Sequence, residues 1–391
     1  MKRRDPAEAG RSNGGSEPAT PIVPSVRRID GHPSRRSGPL TVRTARPDDV
    51  PACTEVWASA MSELQLRLNQ PAVTGDLAPL GRLLAHVRET DPERFLVATR
   101  TAVAPDGAPA EAAGRRLAEA ADGPDAPERI VGFVSATIRG DVWFLAMLFV
   151  HPEEQAAGLG RTLLRQVLAD PAGPEGIGSM PGPGDPAASA RPSVMATVTD
   201  SIQPISNALY ARVGIVPRLP LFHLVGRPAR PAALPPLPAG ITAIAFETIA
   251  AGPPDGPGHR ELSAAVGRID RVLLGYEHPR DHRFLRQDGR VGYLYRGPDG
   301  VPLGYGYTSP VGRVGPVAVL DETLLAPVVG HLLAVLPPRG ASSLWIPGAA
   351  GPTFRALLAA GLRIEDFPAL LCWSRPFGSF ERYLPASLAV L

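Results

Sequence analysis

VHPEEQAAGLGRTLL, residues 150–164, joins the end of an apolar run to a proline, a turn bearing two glycines and the start of a helix. The run that feeds it, LAMLFV (145–150), has no polar residues at helical spacing, which suits a strand buried on both faces. Beyond the turn, Leu163, Leu164, Val167 and Leu168 recur at helical spacing, so Gln155 to Gly160 lies on the turn that opens a helix. Such a turn points backbone N–H groups outward. Gly158 and Gly160 carry no Cβ, so an anion can approach the main chain closely. The helix N-terminus adds roughly half a positive charge. These features describe a phosphate cradle, and a pyrophosphate is the expected ligand. Neither the Gly-Lys-Ser/Thr of a nucleotide triphosphatase loop nor a third glycine at dinucleotide spacing is present.

The segment resembles the acetyl-CoA signature of the GNAT superfamily of N-acetyltransferases, in which a strand ending in Val-x-Pro precedes Gln/Arg-x-x-Gly-x-Gly/Ala. Here that pattern is Val150-His151-Pro152, then Gln155, Ala156, Ala157, Gly158, Leu159 and Gly160. A second stretch carries the likeness further. After the strand-like VMATV (194–198), the residues Thr199, Asp200, Pro204, Ser206, Asn207, Tyr210 and Gly214 agree with the following strand and helix of the superfamily. Gln203 stands where the family usually has Asn, and Ile215 replaces an aromatic residue.

The resemblance implies acetyl-CoA as acyl-donor substrate and a set of residues to hold it. Leu148, Phe149 and Val150 would offer backbone groups to the pantetheine arm, because that strand is splayed from its neighbour in GNAT folds. Gln155, Ala156, Ala157, Gly158, Leu159, Gly160 and Arg161 would hold the pyrophosphate, with Gln203 and Asn207 nearby. Tyr210 would be the general acid that protonates the departing CoA thiolate, a contribution of roughly a hundredfold or more. The base that takes the amine proton is open between Asp141, Glu63 and Asp200.

Composition frames these motifs. A chain of 391 residues that is 44% hydrophobic and 20% charged is long enough for two cores. A net charge of +2 gives no reason to invoke nucleic acid, and no apolar segment has the length of a membrane span. Cys53 and Cys372 lie far apart, in segments that read as helix and strand, which is neither a disulfide framework nor a metal spacing. The histidines show no HExxH or paired Cys/His pattern, so no metal is expected. A reducing, cytoplasmic setting and a monomer or homodimer fit these features.

The expected fold class is α/β of the α+β type: two GNAT-like domains, each with a mixed, mostly antiparallel sheet flanked by helices. Residues 1–38 read as a disordered tail, 39–227 as the catalytic domain, 228–239 as a Pro-rich linker and 240–391 as a degenerate second GNAT domain. Within the first domain, 40–43 reads as a strand, 47–61 as the start of an amphipathic helix, and 95–99 with 130–138 as a hairpin. The Pro/Gly-rich stretches 102–128 and 171–192 read as surface insertions, with a short helix at 110–121 as an option. The second half repeats the order of the first, with Val301 to Tyr307 over Ile130 to Ser135, Val317 to Val319 over Leu148 to Val150, and Phe354 to Gly361 over Asn207 to Gly214. Its chemistry is altered: Leu324, Pro327 and Val329 stand where the first half has Gln155, Gly158 and Gly160, and Leu357 replaces Tyr210. The expected activity is transfer of acetyl from acetyl-CoA to a primary amine by direct attack in a ternary complex, a small-molecule acceptor being favoured. A non-catalytic CoA-binding sensor or scaffold is the alternative.

Overall fold

The computed structural model describes residues 39–101, 128–169 and 192–391. The expected tail, most of both Pro/Gly-rich insertions and the optional helix at 110–121 lie outside them.

The first half follows the sequence pattern closely. Strand β1 (Leu40–Thr44) leads through a proline-initiated turn into α1 (Val50–Arg67), α2 (Ala78–Thr90) follows, and β2 (Phe95–Thr101), β3 (Glu128–Arg139) and β4 (Val142–Val150) form an antiparallel meander. Helix α3 (Leu159–Leu168) carries the chain to β5 (Val194–Asp200), and α4 (Pro204–Ala211) to β6 (Val216–Gly226). Burial explains why α3 docks where it does: Leu159, Leu163, Leu164 and Val167 are at most 4% exposed and pack with Val131, Leu145 and Ile215. Each such side chain contributes about 1.5–3 kcal/mol by leaving water. The other face of the sheet is covered by α1 and α2 through Cys53, Val56, Leu84 and Val87 against Phe95, Val97 and Phe133.

The second half continues with β7 (Thr242–Ala245), α5 (Phe246–Ile249), α6 (Pro257–Leu274), α7 (Pro279–Gln287), β8 (Val291–Arg296), β9 (Pro302–Thr308) and β10 (Val317–Val319). Then come α8 (Leu325–Val335), β11 (Ser342–Pro347), α9 (Gly351–Ala360), β12 (Arg363–Ile364), β13 (Ala369–Trp373) and β14 (Tyr383–Leu384). As in the first half, a strand (β10), a short 3-10 turn over Glu322–Leu324 and a helix (α8) follow one another. Here Leu324, Val328 and Val329 are buried in the core, and Leu357 is fully buried.

The two halves do not keep their strands apart. The main sheet runs β1-β2-β3-β4-β5-β13-β6-β11, with β12 beside β6, and the smaller one β14-β10-β9-β8-β7. Thus β13 lies between β5 and β6, antiparallel to both, and β6 is flanked on its far side by β11. Val142, Phe144, Val194, Ala196 and Leu221 of the first half share one apolar core with Leu262, Ile269, Leu294 and Tyr305 of the second. The described residues accordingly fall in one compact unit. The sheet is mixed and mostly antiparallel with helices on its faces, as the sequence leads one to expect. No helix of the described residues is long and apolar enough to cross a membrane.

Candidate active site

Strands β4 and β5 are parallel but pair only from Val142↔Val194 to Leu145↔Thr197. On its other edge β4 stays paired with β3 up to Val150, with one extra residue at Ala146 where the register shifts. That bulge bends β4 away from β5. Thr197 Oγ1 donates to the Leu145 carbonyl at 2.8 Å and closes the last paired position. Among the described residues, the β5-facing backbone edge of residues 146–150 has no strand partner.

At the mouth of this opening the chain forms the cradle. His151 is followed by a single 3-10 turn, and the backbone then enters the left-handed region at Ala156 (φ 65°) and again at Gly158 (φ 84°), the N-cap of α3. A non-glycine residue held there costs on the order of 1 kcal/mol or more, the kind of strain that clusters at ligand clamps. Among the described residues, the backbone N–H groups of residues 156–161 donate to no other backbone group. A Cβ added at Gly160 would meet only Leu209 and Val150, each at 3.9 Å, so the protein itself does not require glycine there. What that missing Cβ leaves open is the approach to the N–H groups.

These elements enclose a cavity of about 400 Å³. Of the residues expected to bind cofactor, Leu148, Phe149, Val150, Gln155, Ala156, Gly158, Leu159, Gly160, Arg161 and Gln203 line it. Ala157, Asn207 and Tyr210 do not. The Gln155 side chain is itself engaged, with Nε2 donating to the Val150 carbonyl at 3.1 Å. Asn207 Nδ2 donates to the carbonyls of Gln203 (2.8 Å) and Asp200 (3.2 Å), so this side chain ties the β5–α4 turn together. Tyr210 is 5% exposed and packs in the core with Cys372. Its phenol stands one helical turn from Ser206, a residue on the cavity wall, and burial holds it well above the ordinary phenol range.

Sequence patterning missed several lining residues. Ala60 and Met61 of α1 line the cavity, Ile205, Ser206, Ala208 and Leu209 come from α4, and Arg212, like Arg161, is an exposed lining residue. Neither arginine has an ion-pair partner among the described residues. Helical spacing from Tyr210 placed Ser206 one turn away on the same face of α4 and was the available signal. The three carboxylates considered as bases are elsewhere: Glu63 pairs with Arg67 at 2.9 Å on the exposed face of α1, and Asp141 accepts from Ser193 N at 2.6 Å. Asp200 is lifted above the usual carboxylate range by burial and by Asp366, and it does not line the cavity. The one carboxylate on the wall among the described residues, Glu154, is paired with Arg100 at 2.9 Å. Cys53 and Cys372 are both free and buried.

Residues 86–177 match the acetyltransferase (GNAT) family, and the chain carries a GNAT acetyltransferase domain. No curated protein matches the sequence. Among solved structures, a Pyrococcus horikoshii protein assigned as an acetyltransferase superposes with a TM-score of 0.58 at 13% identity, over 90% of this chain and 95% of that one. A GCN5-related N-acetyltransferase from Sphaerobacter thermophilus gives 0.50 at 16% identity, over 88% of this chain and 98% of that one. At such identities the likeness is one of fold. The GNAT fold supports acyl transfer from acetyl-CoA in general.

Proposed function

We propose that the chain moves acetyl from acetyl-CoA to the primary amine of an acceptor, by direct attack within a ternary complex, using the site in residues 39–227. The observation that carries this reading is the cavity itself, which runs from the unpaired edge of residues 146–150 to the N-terminus of α3. An amide-bearing pantetheine arm pairs with such an edge as an added strand would. The pyrophosphate then meets the N–H groups of residues 156–161, with Arg161 and Arg212 at the rim as counter-charges.

The amine nitrogen adds to the thioester carbonyl carbon, the C–S bond breaks as the tetrahedral adduct collapses, and the thiolate takes up a proton. Tyr210 is the acid, acting through Ser206 on the cavity wall: Ser206 gives its proton to sulfur and is reprotonated by the phenol. The amine proton leaves to water, since Glu154 is engaged by Arg100. The favoured acceptor is a small amine, ahead of a protein lysine.

The alternative, a sensor that binds CoA without turnover, draws support from Tyr210 and Asn207 lying off the cavity wall. Calorimetric titration with CoA, together with acetyl-CoA consumption over a panel of small amines and lysine peptides, separates the readings. Binding with turnover supports the transferase, and binding without turnover on any acceptor favours the sensor. No binding would overturn both.

A further inference from the structure

A second cluster of chemistry-bearing side chains lies in the carboxy-terminal half, among residues that line no part of the acyl-transfer cavity. Asp270 on α6, His278 at the N-cap of α7 and His282 one helical turn later are 0%, 2% and 6% exposed. Asp270 Oδ2 lies 2.9 Å from His282 Nε2 and 3.4 Å from His278 Nε2. One ligand atom from each residue falls within 4.8 Å of the other two. Atoms bound about 2.0–2.1 Å from a common metal sit roughly 2.9–3.5 Å apart at ordinary coordination angles. Both carboxylate–imidazole separations are in that window, and the His–His pair is the one that draws in on binding.

Three further observations point the same way. First, His278 Nε2 is buried and has no hydrogen-bond partner, although Asp270 is close. An orphaned imidazole nitrogen in the interior costs free energy unless something meets it. Second, Asp270 and His282 each have a hydrogen-bonded outer partner, and a carboxylate stands beside His278 just beyond hydrogen-bond reach. Tyr305 OH donates to Asp270 Oδ1 at 2.6 Å, Tyr307 OH meets His282 Nδ1 at 2.9 Å, and Asp281 Oδ2 lies 3.6 Å from His278 Nδ1. Metal-bound histidines are held in this manner by a carboxylate or hydroxyl on the other ring nitrogen. Asp281 is itself secured by His86 at 2.6 Å and by Arg139 at 3.1 Å, and among the described residues no guanidinium pairs with Asp270. Third, a cavity of about 50 Å³ adjoins Asp270, His278 and His282 and reaches the surface past exposed Ser263, Glu277 and Arg286. It has room for a metal-bound water and gives an entry path.

We propose that Asp270, His278 and His282 form a binding site for a divalent transition-metal ion of the zinc class, with a water from the adjoining cavity as fourth ligand. Two imidazoles and one carboxylate at this spacing are a borderline N/O donor set that suits zinc rather than calcium or magnesium. The ion clamps α6 to α7 and, through Tyr305 and Tyr307, to β9. The inference is independent of the acyl-transfer reading.

The test uses the full chain, stripped with chelator and then titrated with Zn²⁺. The expected result is one zinc per chain by elemental analysis and a Tm that rises with zinc. Asp270→Asn and His282→Gln each weaken binding at least tenfold, and Tyr307→Phe, which leaves all three ligands in place, weakens it by about 10- to 100-fold. Anomalous diffraction from wild-type crystals at the zinc edge does not depend on any variant folding, and it is expected to place the ion between the three side chains. Folded wild-type protein that takes up no stoichiometric zinc, or an anomalous peak elsewhere, overturns the proposal.

Discussion

Gln155 Nε2 donates a 3.1 Å hydrogen bond to the Val150 carbonyl, so the side chain that opens the cradle is fastened to the end of the strand beside it. That bond sets the distance between the unpaired edge of β4 and the N–H groups at the start of α3. A neutral hydrogen bond of this kind contributes about 1 kcal/mol. Gln155→Leu is therefore expected to weaken CoA binding about fivefold, measured by calorimetry, with little change in Tm. Unchanged affinity would mean that the loop holds its shape without this fastening.

Gly160 tests the cradle more directly. Because an added Cβ meets nothing closer than 3.9 Å, Gly160→Ala should fold with an unchanged or slightly raised Tm. The methyl group nonetheless stands in the approach to the backbone N–H groups, and Gly160→Val blocks it further. Hydrogen bonds to a charged group are worth about 1.5–3 kcal/mol, so loss of one in Gly160→Val corresponds to CoA affinity reduced roughly tenfold to a hundredfold. Wild-type affinity in Gly160→Val would remove the pyrophosphate from this turn.

Tyr210→Phe preserves the ring packed against Cys372 and removes the proton. The expected outcome is a kcat lowered by about a hundredfold or more, with the Kd for CoA unchanged. Ser206→Ala should show the same split if the proton passes through it. A drop in kcat for Tyr210→Phe alone would point to direct transfer to sulfur, and full activity in both would dismiss Tyr210 as the acid.

Burial raises the thiols of both Cys53 and Cys372 from an ordinary 9.0 to about 12. A folded-state value above the unfolded one means that the stabilisation is complete below pH 9 and is lost as the pH climbs from there toward 12. Urea midpoints should show no thiol-dependent trend between pH 6 and 8 and should fall above about pH 9. Iodoacetamide at pH 8 should label neither cysteine in the folded chain and both in urea. Rapid native labelling of either would contradict the burial.

A fragment that stops after Gly226 carries every element of the acyl-transfer cavity yet lacks β13, which lies between β5 and β6. Its β5 and β6 would each expose a bare edge, a template for aggregation. Residues 39–227 expressed alone are expected to be insoluble, and co-expression with residues 228–391 to recover soluble complex. A soluble, monomeric fragment would show that the halves fold independently.

The features legible from sequence were those set by neighbours along the chain. The run 145–150, the glycine turn and the spacing of Leu163, Leu164 and Val167 marked strand, loop and helix in order, because each depends on local hydrophobic period and backbone freedom. The same held for the hairpin of β2 and β3 and for the start of α1. Which side chains face the cavity was less accessible. Asn207 and Tyr210 sit on α4 beside residues that do line it, and only the docking of α4 turned Ser206 and Leu209 toward the opening instead.

What the sequence determined by itself was a strand, a glycine-bearing turn and a helix arranged to meet an anion, and with them the family to which this domain belongs. The tertiary structure alone decided that β13 enters the first half's sheet between β5 and β6, and that Asp270, His278 and His282 converge in the interior. Strand order depends on which edge buries the most apolar surface across more than a hundred residues of intervening chain, and a donor cluster depends on how two helices cross. Neither leaves a periodic or spaced mark in the sequence, because the energies that select them act between segments that are neighbours only after folding.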